Sequence, residues 1–191
     1  MFATWIKIFS PQNQYALDIA KKWINIIENA FLYDSYNHIE YLKSFSETFG
    51  VKPHNDRSVD FVTFYQVSIL QGILKPSIEE KVINYIINDD TGIYYIYGAK
   101  IATLPKDFSS KETNRYLSAI ELLSGYDNAK EPLEFVVEWF KSNKHREGYW
   151  DLGSSAKDGI NFPLSDSWRS IQSRRKDCTL RIERLIEKLG Y

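Results

Sequence analysis

The residues with the most chemical potential crowd toward the C-terminus. Asp151, Asp158, Asp166 and Asp177 are interspersed with Arg169 and Arg174, and Trp150 and Trp168 sit among them. Guanidinium forks grip carboxylates or a diphosphate at two points, so the set has the makings of an anion site. The competing expectation is internal. Asp166 and Asp177 would neutralise Arg169 and Arg174, with Trp150 and Trp168 packed beneath, and so staple a loop across the last helix. A buried charge without its partner is costly, so the set is expected to act as a unit and Arg169→Ala to destabilise the fold.

Other reactive groups are sparse. Cys178 is the one cysteine, which excludes a disulfide within the chain and any zinc site built on a cysteine pair. Paired with His145 it would be a nucleophile. On an amphipathic helix, however, a lone cysteine is more often a small buried apolar group. His38, His54 and His145 have no ligand spacing to one another. No metal and no cofactor is expected.

Composition narrows the partners. With 24 basic against 25 acidic residues the net charge is −1, which leaves no electrostatic footprint for nucleic acid. The run Arg174-Arg175-Lys176 is short and abuts Asp177. Aromatic residues make up 15% of the chain, a composition that suits pockets and interfaces, although an AT-rich coding sequence produces the same bias. Residues 1–9 are apolar but interrupted by Lys7, too short for a secretory h-region. No window approaches the roughly 18 apolar residues of a spanning helix. A cytoplasmic protein with no membrane span is expected.

The elements that must position these residues read as helical throughout. Ser10-Pro11 looks like a helix start, and Tyr15, Ile19, Trp23, Ile27 and Phe31 recur every four residues over 12–32. A second helix is expected over 36–49, closed by Gly50. Together they form an N-terminal hairpin over 1–50. Ser58 is expected to cap a third helix, apolar all round and therefore interior, and Ser77 with Glu80 to form a capping box for a helix over 78–87. Asn88-Asp-Asp-Thr-Gly92 is a turn. Residues 93–104 have strand-like composition at first, but a lone strand has no partner, so an inner helix is expected there. Further helices are expected over 112–123, 130–141 and 174–189. The loop over 143–173 is too long for a mere connector, since structureless stretches beyond roughly 12–15 residues are uncommon. Its Trp150, Phe162, Leu164 and Trp168 favour burial, so it should be ordered. The whole of 1–191 reads as a single all-α domain of about seven or eight helices.

A weak repeat runs through residues 57–191. Ser68-Ile-Leu-Gln-Gly72 is matched by Glu121-Leu-Leu-Ser-Gly125. Each is followed by a Pro-flanked helix and then by a turn ending in Tyr94-Tyr95 or Tyr149-Trp150. Units of this kind bury their apolar faces by stacking.

This pattern resembles the α/α toroid of terpenoid cyclases and protein prenyltransferases. Glu147-Gly-Tyr-Trp150 is similar to that family's Gly-aromatic turn, and Thr91-Gly-Ile-Tyr-Tyr95 is so more loosely. The segment 147–181, with Trp150-Asp-Leu-Gly153, Phe162-Pro-Leu-Ser-Asp-Ser-Trp-Arg169, Arg174, Asp177-Cys178-Thr179 and Arg181, resembles the ending of uncharacterised bacterial prenyltransferase-repeat proteins. The resemblance implies a toroid-like fold, here small or partial, with its wall completed by another subunit if it closes. It implies that Asp89 and Asp90 stand at the last two carboxylates of the cyclase acid motif, with Ile87 in place of the first. It also implies an aromatic-lined cavity from Tyr65, Tyr94, Tyr95, Tyr97, Trp150 and Trp168, whose ring faces would favour cations. Asp177-Cys178 is one residue short of the prenyltransferase zinc spacing. Two functions follow: binding of an apolar or isoprenoid-type ligand, with Tyr94, Tyr95, Trp150, Asp166, Trp168, Arg169, Arg174 and Asp177 around it, or a non-catalytic module that binds a protein or peptide.

Overall fold

The computed structural model describes residues 2–52, 60–157 and 168–191. Every regular element among them is helical: α1 Phe2–Phe9, α2 Gln14–Ala30, α3 His38–Phe49, α4 Phe64–Leu70, α5 Pro76–Asn88, α6 Lys111–Leu123, α7 Glu134–Ser142 and α8 Ile171–Lys188. The all-α expectation holds.

Local chemistry sets the helix boundaries. Helix α2 starts at Asn13, whose side chain accepts a hydrogen bond from the Ala16 N–H, so Ser10-Pro11 belongs to the turn before it. Asn37 caps α3 by accepting from Ile39 and Glu40 N–H, and Gly50 closes that helix in the left-handed region. Trp23 of α2 packs on Phe45 and Phe49 of α3, which makes the expected N-terminal pair. The capping box at Ser77 does not form. Pro76 takes the first helical position after Lys75, which draws Ser77 inside the helix. The position expected to start the third helix, Ser58, lies outside the described residues, and α4 begins at Phe64 behind Thr63. The residues before α7 make two 3-10 turns, Asp127–Ala129 and Glu131–Leu133, in place of a continuous helix from 130.

Helix α1 has no counterpart in the sequence reading. Eight residues are too few to be helical alone, and docking supplies what length does not. The Lys7 ammonium donates to the Ile69 and Gln71 carbonyls, both at 2.7 Å, and Thr4 Oγ1 donates to the Tyr65 carbonyl at 3.1 Å. A cation thus sits where the last carbonyls of α4 lack helical partners.

The inner helix expected over 93–104 is also corrected. The backbone there turns back on itself, with Ile93 N–H donating to the Tyr97 carbonyl at 2.8 Å. Tyr94 N–H donates to the Val62 carbonyl and Phe64 N–H to the Tyr94 carbonyl, making isolated bridges in place of a strand or helix. The partner that a strand-like segment needs is the extended stretch entering α4.

One apolar core joins all of this, with Ile26, Phe31, Phe61, Leu70, Ile83, Leu117, Phe140 and Ile182 fully buried. Buried polar groups cross-link it. Tyr126 Oη donates to the Val67 carbonyl at 2.6 Å, Tyr116 Oη to Ile101 at 3.0 Å, and Gln71 Nε2 to Leu122 at 2.6 Å. The two repeat glycines differ in role. Gly72 is left-handed with open space around it, whereas Gly125 makes room for the Gln71 side chain. The glycines of the two Gly-aromatic turns agree better. Gly92 and Gly148 are both left-handed, and each donates its N–H to the carbonyl three residues back.

Candidate functional site

Helix α8 carries a polar stripe on one face at helical spacing, with Arg174, Asp177 and Cys178 buried and Arg181 half-buried. Arg174 does not pair as expected. Its Nε and Nη2 donate to Asp151 Oδ1 and Oδ2 at 2.6 and 2.9 Å, a two-point grip, and Nη1 reaches the Trp168 carbonyl at 3.5 Å. Gly153 N–H adds a third hydrogen bond to the Asp151 carboxylate, and Arg175 Nε lies 3.5 Å from its Oδ2. Asp177 accepts from the Trp168 indole at 2.8 Å. Trp150 is buried, its indole donating to the Phe140 carbonyl and its backbone N–H to Thr179 Oγ1. Asp158 and Asp166 lie outside the described residues, and the Arg169 side chain is exposed.

The segment 150–153 is therefore stapled to α8, with Asp151 as the hub. Burial acts to raise the Asp151 pKa, but the hydrogen bonds from Arg174 and Gly153 and the guanidinium charge outweigh it and hold the carboxyl below its usual range. A second clamp was not among the expected site residues. Arg181 donates to both Glu121 oxygens at 2.6 and 2.8 Å, to Ser118 Oγ at 3.0 Å and to Asn114 Oδ1, bolting α8 to α6.

Cys178 and His145 do not pair. Burial is the chief cause that pushes the Cys178 thiol up to about 11, and only 1% of the residue is exposed. His145 instead stacks on Tyr149 with centroids 4.4 Å apart and faces Glu147. Alkylation of Cys178 in the native protein should therefore be slow and should follow the rate of unfolding. Fast labelling under native conditions, read by mass spectrometry, would contradict the burial.

Asp89 Oδ1 accepts from both the N–H and the hydroxyl of Thr91 at 2.7 and 2.6 Å, and exposed Asp90 pairs with Lys100 at 3.0 Å. The two carboxylates build a surface turn. Among the described residues no group of three His, Cys, Asp or Glu side chains could hold a metal ion, and no helix is long and apolar enough to cross a membrane.

The six aromatics expected around one cavity are held by different elements. Tyr97 packs edge-on against Tyr116 and donates to Glu112, and Trp150 and Trp168 belong to the α8 staple. Tyr94, Tyr95 and Tyr65 form a surface group instead. The Tyr94 and Tyr95 rings lie 4.1 Å apart, Tyr95 meets Tyr65 at 5.7 Å, and Tyr65 meets Phe64 at 5.4 Å. Tyr95 is 56% exposed and holds φ at +74°, the one non-glycine residue in the left-handed region among the described residues. No family model, curated protein or solved structure matches the chain.

Proposed function

We propose that this chain is a non-catalytic binding module with a toroid-like stack of helices, and that it engages a protein or peptide through the Phe64–Tyr65–Tyr94–Tyr95 surface. The observation that carries the reading is Tyr95. A bulky side chain in the left-handed region costs roughly 1–2 kcal/mol, and such strain gathers where function requires it. Here it lifts a half-exposed ring onto a step of three others. Rigid tyrosines are favoured contact residues because they offer large area at small entropic cost. The turn geometry of Asp89 and Asp90, and the enclosed thiol of Cys178, support binding over catalysis.

Tyr95→Asn tests this, because asparagine tolerates the left-handed region. Its melting temperature should equal or exceed that of the parent. A partner recovered by photocrosslinking from position 94 should bind the purified Tyr95→Asn protein at least about tenfold more weakly. Tyr33→Ser, a change at an exposed tyrosine elsewhere, should leave affinity unchanged. Undiminished affinity of the Tyr95→Asn protein defeats the reading. Saturable uptake of a farnesyl-chain probe, lost in the same variant, would favour an apolar ligand instead.

A further inference from the structure

A second group of rings carries a carboxylate at its edge. Phe31, Tyr36, Tyr41, Phe61 and Tyr85 pack with centroid separations from 4.3 to 6.3 Å. They come from the end of α2, the turn into α3, α3 itself, the segment before α4, and α5. Asp60 stands at their edge. Its Oδ1 accepts from Val62 N–H at 2.9 Å and its Oδ2 from Tyr85 Oη at 2.7 Å. The Tyr36 ring packs 4.3 Å from that of Tyr85, and its hydroxyl lies 3.3 Å from His38 Nδ1. Asp60, Tyr36 and Tyr85 are only half-buried.

Among the described residues no Lys or Arg pairs with Asp60, although Arg174 and Arg181 each grip a carboxylate at two points elsewhere in the fold. Hydrogen bonds donated by phenols delocalise a carboxylate's charge but do not cancel it. They also leave the phenol oxygens with lone pairs free to accept. The Asp60 carboxylate and the Tyr85 oxygen bonded to it, with the Tyr36 hydroxyl on the adjoining ring, offer acceptors that complement the N–H donors of one ammonium group. Aromatic faces around it add attraction for any cation that sheds water there.

We propose that Asp60, Tyr36 and Tyr85 form a binding site for a primary alkylammonium group, carried by a free amine or by the lysine side chain of a peptide. Recognition is by charge-assisted hydrogen bonds to Asp60 and the two phenol oxygens, with the methylene stem lying against the rings. The Asp60 site does not rest on the Tyr94–Tyr95 reading, although Val62 bonds to both Asp60 and the Tyr94 backbone.

The probes are butylammonium and Nα-acetyl-lysine amide, titrated into the full chain while tyrosine ring resonances are followed by NMR. Saturable shifts of the Tyr36 and Tyr85 signals are expected with at least one probe. If both bind alike, the ammonium and stem suffice; if the lysine amide binds at least about tenfold more tightly, a peptide is the better source. Asp60→Asn keeps the shape and the acceptor for Val62 N–H, and should weaken binding by at least about tenfold while the protein still melts cooperatively. Tyr85→Phe, which keeps the ring, should weaken it several-fold. Absence of saturable shifts with both probes, or equal binding by Asp60→Asn, overturns the proposal.

Discussion

Gly92→Ala is expected to destabilise the protein by roughly 3 kcal/mol or more, the sum of a left-handed backbone cost and overpacking. Both parts follow from the position. Gly92 has φ of +65°, and an added Cβ would lie 2.3 Å from the Tyr97 carbonyl oxygen and 2.4 Å from that of Ala99. These are backbone atoms, so no side chain can swing aside. For a chain of this size the loss corresponds to a fall in melting temperature of about 10 °C. Gly72→Ala is the control. Gly72 has a similar φ of +66° but nothing within 4 Å of the added atom, so it should lose only about 1–2 kcal/mol. If thermal melts of the two variants coincide, the close approach of the 97–99 backbone to Gly92 is wrong. The same turn carries Tyr94 and Tyr95, so Gly92→Ala should disturb the aromatic surface as well as the fold.

Arg174→Ala is expected to cost roughly 3 kcal/mol, because it strands the Asp151 carboxylate with its charge in a mostly buried site. The side chains of Arg174 and Asp151 are only 11% and 20% exposed. Asp151→Asn should cost somewhat less, since Arg174 keeps the Trp168 carbonyl nearby. The double variant Asp151→Asn with Arg174→Gln should cost much less than the sum of its parts, the signature of a directly coupled pair. Additive losses in denaturant titrations would show that the two side chains act independently.

The pair also sets an acid limb. The folded-state pKa of Asp151 is depressed, so its stabilisation is complete above the ordinary carboxylate pKa of about 4. Below that value the unfolded chain takes up the proton first, and the stabilisation disappears as pH falls through the lower folded value. The parent and Asp151→Asn should therefore converge in stability in acid. A gap that stays constant from neutral pH to below pH 3 would remove the charge from the account (the range follows from the ordinary carboxylate value).

Within the expected staple, the described pair is Arg174 with Asp151. Sequence separation suggested pairs among residues 166–177, but the chain brings Asp151 back across α8 from more than twenty positions earlier. Nothing in local spacing distinguishes Asp151 from Asp166 as the partner. The same holds for Arg181, whose partners Asn114, Ser118 and Glu121 lie on α6.

Residue order alone determined what depends on neighbours within a turn or two. The helix read over 12–32 appears as α2, although its buried face is Ala16, Ala20, Trp23, Ile26, Ile27 and Ala30 while Tyr15 is exposed; Gly50 ends α3, and Ser110 caps α6 through Thr113 N–H. Local hydrogen bonds and helical periodicity are short-range, so they can be read along the chain. The all-α class followed from them. Tertiary structure decided the rest. It made α1 a helix by placing Lys7 on the last carbonyls of α4. It kept residues 93–97 out of a helix by offering Val62 and Phe64 as backbone partners. It also divided the aromatic residues into a core, a staple, an exposed tyrosine surface and the Asp60 cluster. Each outcome turns on which distant group satisfies a buried donor, acceptor or charge, and that is a property of the packed chain rather than of any window within it.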